Sequence, residues 1–124
     1  MQMRAMQDSR TGFCHQINFV STSTQVAFGP TTSGFASANN VANCNTAIDF
    51  TSPDFLRTSA TEIMDAGVSM AALDGTDAIS GIHFNSFGSP VTSASNCSSS
   101  CTVTFTGISA AQVCVESEGF IHAC

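Results

Sequence analysis

Lysine, tryptophan and tyrosine are absent from this 124-residue chain, and charge of either sign is scarce. Arg4, Arg10 and Arg57 are the three basic side chains against nine acidic ones, a formal net charge of −6. Three scattered arginines cannot line a groove that neutralises phosphates, so no nucleic-acid partner is expected. No apolar run approaches the roughly 18 residues of a membrane span, and no basic-then-apolar leader opens the sequence. Disorder is excluded by what is present: 43% of residues are hydrophobic, ten are phenylalanine and only 10% are charged. The length falls at the common size of one domain, so residues 1–124 read as a single soluble, acidic unit.

Six cysteines, Cys14, Cys44, Cys97, Cys101, Cys114 and Cys124, stand in a chain rich in Ser, Thr and Asn. An even number in a short chain points to disulfides and an oxidising compartment. Six cysteines allow fifteen pairings, so local geometry must choose. Cys97 and Cys101 flank a three-residue loop, which would set them opposite each other in a hairpin. Cys114 and Cys124 flank the turn Glu116-Ser-Glu-Gly119, where a bond would tie the C-terminus to a last hairpin. Cys14 is left with Cys44, closing about 30 residues around a Ser/Asn-rich loop. The rival arrangement is zinc held by Cys97, Cys101, His122 and Cys124, four ligands of suitable type. That set contains no Cys-x-x-Cys pair and leans on a terminal cysteine. Disulfides are therefore preferred, with no metal or cofactor expected.

Along the chain, Met1–Asp8 reads as a helix end with Met3 and Met6 on one face, too short to stand alone. From Phe13 the period becomes two. Phe13, His15, Ile17 and Phe19 alternate with Cys14, Gln16, Asn18 and Val20. Val26 and Phe28 mark a second strand, Thr31–Asn45 a small polar loop, and Ala47–Thr51 a third strand. Ser52-Pro53-Asp54 and the capping-box pattern Ser59-x-x-Glu62 allow a short helix between Pro53 and Ala66, or an extended stretch. Gly81–Gly88 and Thr102–Thr106 alternate as strands, and Val113, Val115, Phe120 and Ile121 frame a closing hairpin around Gly119. These signals suggest antiparallel sheet, arranged as two packed layers.

Candidate chemistry is sparse. Gly67-Val-Ser-Met-Ala71 misses the nucleophile elbow at its final glycine, and His15, His83 and His122 sit in alternating stretches typical of ordinary strand residues. No catalytic residue is assigned, and no enzyme is expected. Asp74-Gly-Thr-Asp77, with Asp65 nearby, offers carboxylates for calcium but reads first as a solvated turn. Asn96-Cys-Ser98 fits a glycosylation triplet, and Glu116 and Glu118 read as surface charges.

Two segments together resemble the GspH/FimT-type minor pilins and pseudopilins. One runs through Ile82-His-Phe-Asn-Ser-Phe-Gly88, Val103-Thr-Phe105, Val113-Cys-Val115 and Gly119-Phe-Ile121, ending at Cys124. The other is Met3-Arg-Ala-Met-Gln7 leading into the strand Phe13–Val20, similar to the family's junction of helix and first strand. Within the family, the cysteines and the acidic balance look most like minor pilins of mannose-sensitive haemagglutinin pili. The processed leader and long apolar helix of that family are not in this sequence. The resemblance therefore implies a soluble head with residues 1–10 as the remnant of the helix. It also implies an α+β fold, with that truncated helix packed on antiparallel β-sheets in a disulfide-braced, sandwich-like head.

On this resemblance the chain is a subunit that initiates, assembles or tips an adhesive type IV pilus. The same likeness admits a pseudopilin of a type II secretion system. Partners would be other pilin subunits and, through the missing helix, the inner-membrane assembly machinery; the location would be an extracellular pilus or the periplasm. The loop Thr31–Asn45 and the Cys97–Cys101 tip are the candidate contact surfaces. DNA capture is disfavoured by the −6 charge, and a small secreted enzyme or metal protein is the alternative from another class.

Overall fold

Period-two stretches become strands because each sends one face to a shared core and the other to solvent or a covering loop. The computed structural model describes residues 1–32, 34–36 and 44–124. Its elements run α1 (Gln2–Gln7), β1 (Gln16–Ser21), β2 (Val26–Pro30), α2 (Glu62–Asp65), β3 (Ser69–Asp74), β4 (Asp77–Ala78), β5 (Gly81–Phe84), β6 (Pro90–Val91), β7 (Cys101–Thr106), β8 (Ala110–Val115) and β9 (Ile121–Ala123). A single 3-10 turn, Asp54–Leu56, precedes α2. One sheet has the order β2-β1-β5-β6 and the other β4-β3-β7-β8-β9. Every strand pairing in both is antiparallel.

The two sheets meet in one core. Ile82 and Phe84 come from the first sheet, and Met70, Ala72, Val103 and Val115 from the second. Phe28 and Phe105 join them edge to face, with ring centroids 6.0 Å apart. Each large apolar side chain fully buried there contributes about 1.5–3 kcal/mol. The other face of β1 is covered as well. Asn18, fully buried, donates from Nδ2 to the carbonyls of Asn45 and Ala47 at 2.9 and 3.0 Å and accepts from Gln16 Nε2. This satisfied polar seam holds the chain after Cys44 against the sheet.

The α+β expectation is overturned. Strand accounts for 38% and helix for 11% of the described residues, so the fold is mostly β, two antiparallel sheets with three disulfides. Helix α1 has six residues, fewer than two turns, and Ala5 is its one buried side chain. So short an element cannot form a helical layer.

Smaller corrections follow the same logic. Ala47–Thr51 is not a strand: Ile48 is buried and makes only an isolated bridge with Thr31. The first strand begins at Gln16, with Phe13 held by a separate bridge to Phe35. Between Pro53 and Ala66 the capping box forms, Ser59 N donating to Glu62 Oε2 at 2.8 Å and Glu62 N to Ser59 Oγ at 3.1 Å. It starts only the four-residue α2.

Strand β3 was not anticipated from the sequence. Met70, Ala72 and Asp74 are buried on one face while Ser69 and Ala71 are exposed on the other. Cys97 and Cys101 do not face each other across a hairpin. Cys97 lies in a turn where Asn96, Cys97 and Ser100 take φ of 55°, 56° and 65°, and Cys101 opens β7 opposite Asp74. Of the loop Thr31–Asn45, residues 33 and 37–43 lie outside the described residues.

Candidate functional site

Disulfides link the three expected pairs, with Cα–Cα distances of 5.9 Å for Cys14–Cys44, 4.8 Å for Cys97–Cys101 and 5.4 Å for Cys114–Cys124. The rival zinc set is not assembled. Among the described residues, Cys97 and Cys101 cluster with Asp74, whereas His122 clusters with Cys114 and Glu116.

Asp74 is a structural acceptor rather than an open calcium ligand. It is 1% exposed, and its carboxylate accepts hydrogen bonds from Thr92 Oγ1, Ser95 Oγ, Ser95 N at 2.8 Å and Cys97 N at 3.1 Å. Burial alone would raise this carboxyl; the Ser95, Thr92 and Cys97 donors outweigh it and hold it at about 2. Asp77 pairs with Asp74 across the β3–β4 turn, where Gly75 takes φ of 61°. Asn96 belongs to the same construction, its Oδ1 accepting from Thr92 N at 2.9 Å. The acidic turn thus anchors the turn that carries the Cys97–Cys101 bond.

The histidines separate by environment. His15 and His83 are buried, and the ring atoms His15 Nε2 and His83 Nδ1 lack a hydrogen-bond partner among the described residues. Asp8 Oδ2 lies 3.2 Å from His15 Nε2, close enough for charge attraction but without hydrogen-bond geometry. Burial lowers His15 against the pull of Asp8. Burial, with His15 nearby, lowers His83 to about 4. Asp8 is itself ion-paired to Arg10, whose guanidinium sits 3.7 Å from the Phe13 ring centroid. Ser69, of the near-elbow motif, donates to Thr106 O at 3.4 Å as part of the sheet.

Glu116 sits at the turn with its side chain 38% exposed, and it has a partner there. Its Oε1 lies 2.9 Å from His122 Nε2 across the last hairpin, and this bond, with the Ala123 carbonyl, raises His122 above its ordinary value.

The feature best placed to act is an apolar rim around α1. Gln2 Nε2 donates to Gly88 O at 3.0 Å and to Gly119 O at 2.7 Å, drawing two turns against the helix. A Cβ at Gly119 would lie 2.1 Å from Gly88 O, so only glycine permits this approach. Beside these contacts stand Met3 at 69% exposure, Phe87 at 85% and Phe120 at 67%, with Met6 and Ile121 also exposed. A cleft of about 380 Å³ opens next to them between the sheets, lined by Met1, Met3, Phe19, Phe84, Val113 and Ile121 among others. Exposed apolar side chains gathered in this way mark a contact surface. The sequence signal for it was the Met3/Met6 spacing; Phe87 and Phe120 join only through the fold. Compared with protein-family models, curated proteins and solved structures, the chain matches none of them.

Proposed function

We propose that this chain is the head of a filament subunit, a minor pilin or pseudopilin of the kind its sequence resembles, working through surfaces rather than turnover. The apolar rim formed by Met3, Met6, Phe87, Phe120 and Ile121 carries the reading. It adjoins the helix that leads into β1, through the Gln2 bonds to Gly88 and Gly119 next to Phe87 and Phe120, the place where the resemblance sets a stalk and its neighbours. Three disulfides suit a head that works outside the reducing cytosol. In this reading the partners are protein subunits, and the −6 charge disfavours DNA.

Deleting the gene and counting surface filaments by electron microscopy, alongside an assay of secreted proteins, tests the proposal. Loss of filaments supports a pilin, loss of secretion a pseudopilin. Each should be restored by the wild-type gene and not by a Met3→Asp, Phe120→Asp double variant. Normal filaments together with normal secretion would remove the proposal.

A further inference from the structure

The last hairpin sets four metal-ligating side chains on one face. Cys114 and Glu116 are two residues apart, as are His122 and Cys124, and Cys114 pairs directly with His122 in the β8–β9 register. Side chains two apart on a strand share a face, and so do directly opposed ones. Val113, Val115 and Ile121 occupy the opposite face, toward the apolar cleft. Ligand atoms of Cys114, Glu116 and His122 all lie within 4.8 Å of one another, and Cys124 Sγ is bonded to Cys114 Sγ. His122 Nδ1 lies 2.9 Å from the Ala123 carbonyl, the outer partner that metal-bound histidines commonly have. Both ring nitrogens face oxygen acceptors, Nδ1 the Ala123 carbonyl and Nε2 the Glu116 carboxylate at 2.9 Å, so Nε2 carries a proton that an incoming metal must displace. Phe120 stacks on the His122 ring at 5.1 Å and fixes its plane.

In the oxidised protein the two sulfurs are spent on each other and are poor ligands. The geometry points to a reduction-dependent zinc site, in which Cys114, Cys124, His122 Nε2 and Glu116 take up one Zn²⁺ once the Cys114–Cys124 bond is opened. Opening consumes two electrons. Two thiol molecules give up their protons and electrons, the protein gains two thiols, and the reductant leaves as its own disulfide. Zinc then displaces one proton from each cysteine and the Nε2 proton of His122, all three released to solvent, forming two Zn–S bonds of about 2.3 Å beside one nitrogen and one oxygen ligand. A tetrahedral pair at that length spaces the sulfurs by about 3.8 Å, a separation that rotation about each Cα–Cβ bond supplies.

This bond is also the one a reductant reaches first. Cys124 is exposed, whereas its partner Cys114 and the other four, Cys14, Cys44, Cys97 and Cys101, are buried, so this is the one disulfide with an exposed sulfur-bearing residue. The hairpin therefore has two alternative braces, one sulfur–sulfur bond or one metal ion. The inference is independent of the filament proposal.

The test treats the full chain with a limiting phosphine reductant, which opens the disulfide and is itself oxidised to the phosphine oxide. Alkylation mapping of a portion identifies the opened bond; the rest is desalted and titrated with zinc or cobalt. The expected result is selective opening of Cys114–Cys124, one zinc retained per reduced chain with unchanged far-UV circular dichroism, and no retention by the oxidised chain. Cobalt should give thiolate charge-transfer and tetrahedral ligand-field bands. His122→Ala should weaken zinc by at least about 100-fold, more than the roughly 10–100-fold typical of an outer-shell partner. Glu116→Gln, which keeps an oxygen at the site but loses its charge, should also weaken it, by less than His122→Ala. The proposal is overturned if another disulfide opens first, if the reduced hairpin holds no more zinc than the oxidised one, if zinc binds only an unfolded chain, or if His122→Ala binds as wild type.

Discussion

Replacing Asp74 by alanine should be among the most damaging single changes in the molecule. The carboxylate accepts four hydrogen bonds from the turn between Thr92 and Cys97, and the residue is 1% exposed. Ser95 is exposed and its groups can return to water, but Cys97 is wholly buried. The orphaned Cys97 amide alone costs about 1–3 kcal/mol, and bonds to a charged acceptor are worth about 1.5–3 kcal/mol each before desolvation is subtracted. A net loss of roughly 3–4 kcal/mol follows, a large share of the roughly 5–15 kcal/mol available to a domain. Tm should fall by roughly 10–15 °C in a calorimetric scan.

The pH dependence gives a second handle on the same residue. A carboxyl held at about 2 in the fold against the ordinary 3.8 contributes roughly 2 kcal/mol, present above pH 3.8 and lost as pH falls toward 2. Asp74→Asn, which can keep one oxygen on the two amides, should abolish that loss and cost less than alanine at neutral pH. An alanine variant melting within about 2 °C of wild type would refute the idea that this carboxylate organises the turn.

Other outcomes follow from the same structure. His83 is held neutral by burial, at about 4 against 6.5, so the unfolded chain takes up its proton first. Stability should drop by roughly 3 kcal/mol as pH falls from above 6.5 through 4, then level, and His83→Leu should flatten that part of a urea-denaturation profile. Removing disulfides as serine pairs should destabilise in the order of loop length: about 4 kcal/mol for Cys14–Cys44, about 3 for Cys114–Cys124 and about 2 for Cys97–Cys101. Equal Tm losses, or the reverse order, would count against chain entropy as the cause. Gly119→Ala should cost roughly 2 kcal/mol or more, because the new Cβ meets Gly88 O and φ is 89°. An unchanged denaturation midpoint would show that the Gln2 clamp is not tight.

How much of this was legible depended on whether the signal was local. The alternation of Val103 and Phe105 against threonines gave β7, and the Ser59/Glu62 spacing gave the capping box. Loop lengths between cysteines were enough to choose the disulfide pairs. Strand β3 was hidden because Met70-Ala-Ala-Leu73 combines good helix formers with small side chains, and only pairing with β7 makes it a strand. The hairpin expected at Cys97 failed because three consecutive loop residues could be bridged equally well by a turn with left-handed residues held by Asp74. The helix in the α+β expectation came from the resemblance, and six residues burying one alanine do not make a layer. The Glu116–His122 pair and the approach of the Gly88 and Gly119 turns needed the hairpin register and the Gln2 clamp, which no sequence period encodes.

Photo-crosslinking in intact cells is the most direct measurement of the filament-head account. A photoreactive residue placed at Met3 or Phe120 should capture neighbouring filament subunits, while one placed at exposed Thr76, at the β3–β4 turn, should capture far less. Equal capture from both positions, or none from the rim when filaments are assembled, would contradict it.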